Sequence, residues 1–296
     1  MTDSFETRTY GKWIMAGEHA VLRGCPALVF PLLSRQLDLN YQAAPSALKV
    51  ELLGEHGSEL QLLFWGVLEK ACELKKIPRL ALMGHLQLKN TIPVGAGMGA
   101  SAAFCVAMAR WFENLGYVDK NEVYEFSRQL ENLFHGESSG VDIAVAMSSQ
   151  PLVFTRGAER SNFSPAWTPK AYISYSDKRG VTVDCVTKVK NLIAVHPGLG
   201  EKIDREMKKS VEICVSALSS AGLDRLNMLA EGIDLAATCF HQWGLTEGAA
   251  EKHMAWLLDQ GALAVKPTGS GGGGYILSLW SHEPSEETLK KLIPCF

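Results

Sequence analysis

Apolar and polar positions alternate in short runs through the first third of the chain. "TYGKWIMAG", "ALVFPL" and "LDLNYQA" are each bounded by turn residues and read as β-strands. From residue 59 the period changes. Leu60, Leu63, Phe64, Val67, Leu68 and Ala71 keep the i, i+3, i+4, i+7 spacing of a helix over about 59–75, with Ser58 and Gln61 spaced as a capping box. In "LALMGHLQLKN" the leucines at 80, 82, 86 and 88 fall on one face of a predicted strand. Two further helices follow. One covers about 101–115, with Ala103, Phe104, Ala107, Met108, Trp111 and Leu115 on its apolar face and Gly116 to end it. The other covers about 120–134 and opens on Asp119 and Glu122.

"NFSPAWTP", residues 162–169, has two prolines and little periodicity, which puts a domain boundary near 165 and divides the chain into 1–165 and 166–296. The second part predicts one or two strands, then helices near 183–194, 200–221, 225–243 and 249–260. A strand, a glycine run, the strand "YILSLW" and a last helix complete it. Strands and helices mix without steady βαβ alternation, so the fold class expected is α+β.

Composition narrows the function classes. A net charge of −3 argues against nucleic acid as the main partner. The opening "MTDSFETRTYGKW" lacks the apolar stretch of a secretion signal, and no run is long enough to span a membrane. The seven cysteines form no CxxC pair, which signals neither a zinc site nor a disulfide framework and suits reduced thiols in the cytoplasm.

Candidate chemistry concentrates in two glycine-rich loops. In "TIPVGAGMGASAAFCVAMARWF", residues 91–112, glycines at 95, 97 and 99 run directly into a predicted helix. The first N–H groups of a helix have no intrahelical partners and carry partial positive charge, and glycine lets a backbone approach phosphate oxygens closely. The residues alone leave two readings open, a phosphate cradle or a tight strand-to-helix turn. The loop is not a Walker motif, since the one "GK", at 11–12, is followed by Trp13. The second loop, in "KPTGSGGGGYILSL", contains a GxGxxG match at 269, 271 and 274, but a strand follows it where a dinucleotide site needs a helix. Five glycines in the six residues 269–274 favour close approach to another backbone or a ligand over a flexible linker.

Taken in order, "GKWIMAGEHAVLRGCPAL" (11–28), "IPVGAGMGASAA" (92–103) and "KPTGSGGGG" (266–274) resemble the three motifs of the GHMP small-molecule kinases. "ENLFHGESSGVDIAV" (131–145) resembles the segment carrying the acidic residues of the mevalonate kinases. The resemblance implies a two-domain α+β fold, with an N-terminal part like a ribosomal-protein fold and a ferredoxin-like C-terminal part. It implies ATP as co-substrate, Mg²⁺ as cofactor, small-molecule partners only, and a monomer or homodimer. Phosphorylation of the primary hydroxyl of mevalonate is the activity it points to. A phosphomevalonate kinase, another kinase of the family or a non-catalytic sensor of the same fold are the alternatives.

Residue by residue, the resemblance assigns Pro93, Gly95, Ala96, Gly97, Met98, Gly99, Ala100, Ser101 and Ala102 to ATP. Ser101, an ordinary N-cap by position alone, and Glu131, by position alone a solvated helix residue, match the Mg²⁺ ligands. Asp142 matches the catalytic base and Lys12 the lysine beside it, although a lysine on a strand is by itself an ordinary edge residue. Glu18, His19, Thr182 and Gly271 join Lys12 and Asp142 at the acceptor. Two departures from the family are Ala100, where a serine is usual, and Pro267, where an aliphatic residue is common.

Overall fold

The structure is a computed structural model that describes residues 3–135, 139–158 and 161–296, with residues 62 and 135 described for their backbone only. Residues 136–138 of the mevalonate-kinase-like segment therefore lie outside the description. The chain forms two compact units. The first is Met1–Lys12, Pro31–Val94 and Met98–Ser149, and the second is Trp13–Phe30, Gly95–Gly97 and Gln150–Phe296.

Two long strands, β1 (Ser4–Ala16) and β2 (Ala27–Ala47), carry chain through both units. In the first unit β2 pairs antiparallel with β4 (Met83–Asn90), and β4 pairs parallel with β3 (Lys49–Leu53). Between β3 and β4 runs α1 (Gln61–Lys75), the helical crossover that a parallel pair requires. Leu37, Leu39 and Tyr41 of β2 and Leu86 and Leu88 of β4 are buried on alternate positions. Helix α2 (Ala100–Asn114) is buried along most of its length and packs against α3 (Val123–His135) and α4 (Val141–Ser148). Tyr41 meets Trp111 and Phe64 meets Phe104, so α2 is held from both the sheet side and α1.

The second unit contains β5 (Leu152–Phe154), which pairs with the start of β2 and with β6 (Ser161–Asn162). Its four-stranded antiparallel sheet is built from β7 (Lys170–Tyr175), β8 (Ala264–Thr268), β9 (Tyr275–Trp280) and β10 (Ile293–Pro294), in the order β10-β7-β9-β8. Helices α5 (Thr182–Val195), α6 (Pro197–Ser219), α7 (Arg225–Gln242) and α8 (Ala249–Asp259) lie between β7 and β8 in sequence, and the short α9 (Glu286–Leu289) precedes β10. All six residues of β9 are buried. Such a strand, covered on both faces, reads as the continuous apolar run "YILSLW" and not as an alternation. Pro267 sits in β8 at the end of the sheet order, where a missing N–H is tolerated.

Three local expectations are corrected. Leu80 belongs to a 3₁₀ turn, Arg79–Ala81, and is 86% exposed, so the leucine face begins at Leu82. Ser58 opens another 3₁₀ turn, Ser58–Leu60, and no side chain caps α1, so the capping box does not form. The runs "ALVFPL" and "LDLNYQA" are one strand, β2, which continues through the residues between them. All seven cysteines are free thiols and six of them are buried. Among the described residues no helix is long and apolar enough to cross a membrane.

Candidate active site

In the first unit the glycine loop delivers its last residues to the start of α2. Gly99 is the N-cap, with φ 75°, and no side chain caps the helix. The first turn of this fifteen-residue helix, at Ala100, Ser101 and Ala102, therefore receives no capping oxygen from the N-cap residue itself. Glycine is required at 99 for two reasons. Its φ is left-handed, and an added Cβ would lie 2.7 Å from Cγ of Lys12. Lys12 donates its backbone N–H to the carbonyl of Met98 at 2.9 Å, so strand β1 and the glycine loop are directly bonded.

The Lys12 ammonium reaches Asp142 Oδ1 at 3.1 Å. Its side chain is only 6% exposed, against 26% for Asp142. Lys12 is thus no strand-edge lysine but a nearly buried cation aimed at a carboxylate that solvent still reaches. Asp142 stands in the first turn of α4, whose N-cap Gly140 also has a left-handed φ. A carboxylate in that turn faces the positive end of the helix. This second short helix, absent from the expected elements, places the aspartate.

Glu131 is 1% exposed on α3, contrary to the solvated face expected of it by position. Its charge acts on the Cys105 thiol, which burial first and Glu131 second push well above the ordinary range. Glu131 therefore faces α2, close to one turn beyond Ser101. A buried carboxylate and a hydroxyl at the start of a helix are the oxygen donors that suit a hard divalent cation. Among the described residues no group of three His, Cys, Asp or Glu could hold a metal, so such an ion would depend on phosphate oxygens and waters for its other ligands.

The second unit holds the other half of the sequence-assigned residues. Glu18 and His19 are nearly buried, at 2% and 6%. The N–H of Ala20 donates to the carbonyl of Glu18 at 2.6 Å, and His19 between them has φ 57° and ψ −48°. That is a γ-turn of the rare positive-φ kind, which a non-glycine residue occupies only under constraint. The His19 ring nitrogen Nε2 lies 2.9 Å from the carbonyl of Ser270. A carbonyl only accepts, so Nε2 carries the proton and Nδ1 is the acceptor in the neutral ring. Burial, the largest cause, lowers the His19 pKa to about 4. Arg23 adds to the lowering, while the Ser270 carbonyl and Asp204 oppose it.

This depression has a consequence for acid stability. Between the ordinary value of 6.5 and about 4, the unfolded chain binds a proton at His19 that the folded chain refuses. Stability is therefore complete above about pH 6.5 and falls as pH drops toward about 4, by about 2 kcal/mol at pH 5. Urea melts at pH 7 and pH 5, compared between the protein and His19→Asn, measure it. A pH slope unchanged by the substitution would remove His19 as its source.

Ser270 also approaches Thr182, with the two hydroxyl oxygens 3.3 Å apart at the start of α5. The 269–274 loop is bonded to its surroundings, with Gly272 N–H on the Leu245 carbonyl and Gly274 N–H on the Lys178 carbonyl. Its glycine richness has a direct cause. A Cβ at Gly269 would lie 3.3 Å from the Gly97 carbonyl oxygen, and one at Gly274 would lie 3.2 Å from that of Ala96. The two glycine loops thus meet backbone to backbone at 96–97. Arg179 Nε donates to the Gly95 carbonyl at 2.8 Å. No pattern in the sequence announces this contact of Arg179 with the glycine loop.

Residues 63–150 match the GHMP kinases N terminal domain. The chain is 25% identical over 301 residues to the mevalonate kinase of Aeropyrum pernix, covering 96% of this chain and 90% of that one. To the mevalonate kinase of Archaeoglobus fulgidus it is 28% identical over 277 residues, covering 92% and 91%. Among solved structures, L. major mevalonate kinase in complex with R-mevalonate superposes with a TM-score of 0.77 at 19% identity, covering 98% of this chain and 91% of that one. Streptococcus pneumoniae phosphomevalonate kinase, in complex with phosphomevalonate and AMPPNP, gives 0.74 at 16%, covering 99% and 98%. In the matched domain and in its two-sheet α+β fold the chain is similar to the GHMP kinase superfamily. Within it, the likeness in sequence is to the mevalonate kinases.

Proposed function

We propose that the protein transfers the γ-phosphoryl group of ATP to the primary hydroxyl of mevalonate, giving 5-phosphomevalonate and ADP. The observation that carries this reading is the Lys12–Asp142 pair at 3.1 Å, bonded through the Lys12 backbone to the glycine loop that opens α2. It stands in a chain whose relatives over nine-tenths of its length are mevalonate kinases.

In this reading the loop residues Pro93, Gly95, Ala96, Gly97, Met98, Gly99, Ala100, Ser101 and Ala102 hold the triphosphate, mainly through backbone N–H groups. Ser101 and Glu131 are the residues that would hold Mg²⁺, an ion that offsets charge on the phosphoryl oxygens. The acceptor hydroxyl oxygen attacks the γ-phosphorus, the bond from that phosphorus to the β–γ bridging oxygen breaks, and the hydroxyl proton passes to the Asp142 carboxylate. Lys12 pairs with that carboxylate and stabilises the developing alkoxide. Glu18, His19, Thr182 and Gly271 serve the acceptor, with His19 Nδ1 placed to accept from an acceptor hydroxyl. Residues 1–165 then carry the nucleotide and catalytic groups, and residues 166–296 the third motif.

Arg179 on the glycine loop supports one second reading, a kinase for an acceptor that already bears a phosphate. ADP release with Mg-ATP, measured separately with mevalonate and with phosphomevalonate, decides between them. Turnover with mevalonate alone is expected. Turnover with phosphomevalonate alone would move the acceptor to the phosphorylated relative, and silence with both would overturn the proposal.

A further inference from the structure

Lys266 belongs to the glycine-rich third motif, and its side chain pairs with a carboxylate from the first motif. It is wholly buried, and its ammonium sits 2.5 Å from Glu18 Oε1, itself 1% exposed as a side chain. The same ammonium donates to the Ile14 carbonyl at 3.3 Å and stands 5.2 Å above the centre of the Phe240 ring. Such a pair is costly to desolvate, and apolar side chains of the same volume would often serve stability as well or better. Its position in the chain suggests another use.

Glu18 is the first residue of the γ-turn at His19. Three attachments hold that strained turn. Glu18 is anchored by Lys266, and His19 Nε2 is anchored by the Ser270 carbonyl. The His19 ring also packs edge-on against both Phe240, at 5.9 Å, and Trp243, at 5.1 Å. Phe240 closes the circuit, since its ring underlies Lys266 and also lies 3.0 Å from where a Cβ on Gly271 would be. Positive-φ turns at non-glycine residues persist only where the surroundings over-determine them.

We infer that Lys266 is a positioning residue for the acceptor site: through Glu18 it holds the turn that fixes the His19 imidazole, and thereby the acceptor-binding face, without touching either substrate. Glu18 then acts from behind the site and not as a direct acceptor ligand. The inference rests on the proposed kinase activity.

The test is the double substitution Glu18→Leu/Lys266→Met, which removes both charges together, compared with the wild-type protein by thermal melting and by separate KM values for acceptor and ATP. The wild type must first turn over an acceptor. If it turns over none, the proposed activity fails, and this result is distinct from any result on the variants. Expected is a melting temperature close to wild type, an acceptor KM raised about tenfold and an ATP KM unchanged, a split that a purely structural pair does not produce. An acceptor KM at the wild-type value, or both KM values raised together, would overturn the inference. Should the double variant not fold, Glu18→Gln decides by the same split. It keeps the side-chain volume and removes the charge that faces Lys266, and an acceptor KM unmoved or raised only with that of ATP would overturn the inference equally.

Discussion

Asp142→Asn is expected to lower kcat by about a thousandfold while leaving the Kd for ATP within about twofold. Asparagine keeps the volume and one carbonyl oxygen but can neither take the acceptor proton nor carry the charge that pairs with Lys12. The Lys12–Asp142 distance of 3.1 Å shows how much of the arrangement depends on that charge. A nearly buried ammonium loses its counter-ion, so the variant also replaces an attractive contact beside the reacting oxygen with an uncompensated cation. The glycine loop proposed to hold ATP is bonded to Lys12 through its backbone, not through Asp142, so ATP binding is expected to survive. Steady-state kinetics together with calorimetric ATP titration separate the two effects. A kcat within about tenfold of wild type would refute the role given to Asp142.

Lys266→Met alone is expected to destabilise the fold by about 3–5 kcal/mol, the cost of leaving a buried charge without its partner. Glu18 is 2% exposed, so water cannot take over the solvation that Lys266 provides. Methionine fills nearly the same space, which assigns the loss to the stranded carboxylate and not to a cavity. Equilibrium urea unfolding at neutral pH measures it. A variant as stable as the wild type would show that the pair contributes nothing to holding the strand to the turn.

The elements that sequence periodicity made legible are those whose pattern is local. Helix α2 lies within one residue of its expected bounds because its apolar face and Gly116 are contiguous in the chain. The glycine loop, Lys12 and Asp142 were legible through motif order, and the structure adds that Lys12 and Asp142 touch. What could not be read are features set by partners far along the chain. Glu131 is an ordinary helix glutamate in sequence and becomes a buried carboxylate only because α3 packs on α2. Lys266 meets a carboxylate 248 residues away, and no local pattern marks a strand lysine as buried. The γ-turn at His19 carries no glycine or asparagine to announce it. Leu80 misled for the opposite reason: it fits the strand pattern locally but sits in a turn the pattern cannot see.

The free thiols described with the fold have a kinetic meaning. Six of seven are buried and shielded, and burial also holds several of them, such as Cys214 and Cys239 at about 12, in the unreactive protonated form. Alkylation of those six can proceed only when the surrounding structure opens, so each one is a native clock for the opening of its own neighbourhood. Cys105 sits on α2 near Glu131, and Cys185 beside the Gly271 carbonyl. The molecule thus carries, without any added label, separate timers for the motions of helix α2 and of the 269–274 loop.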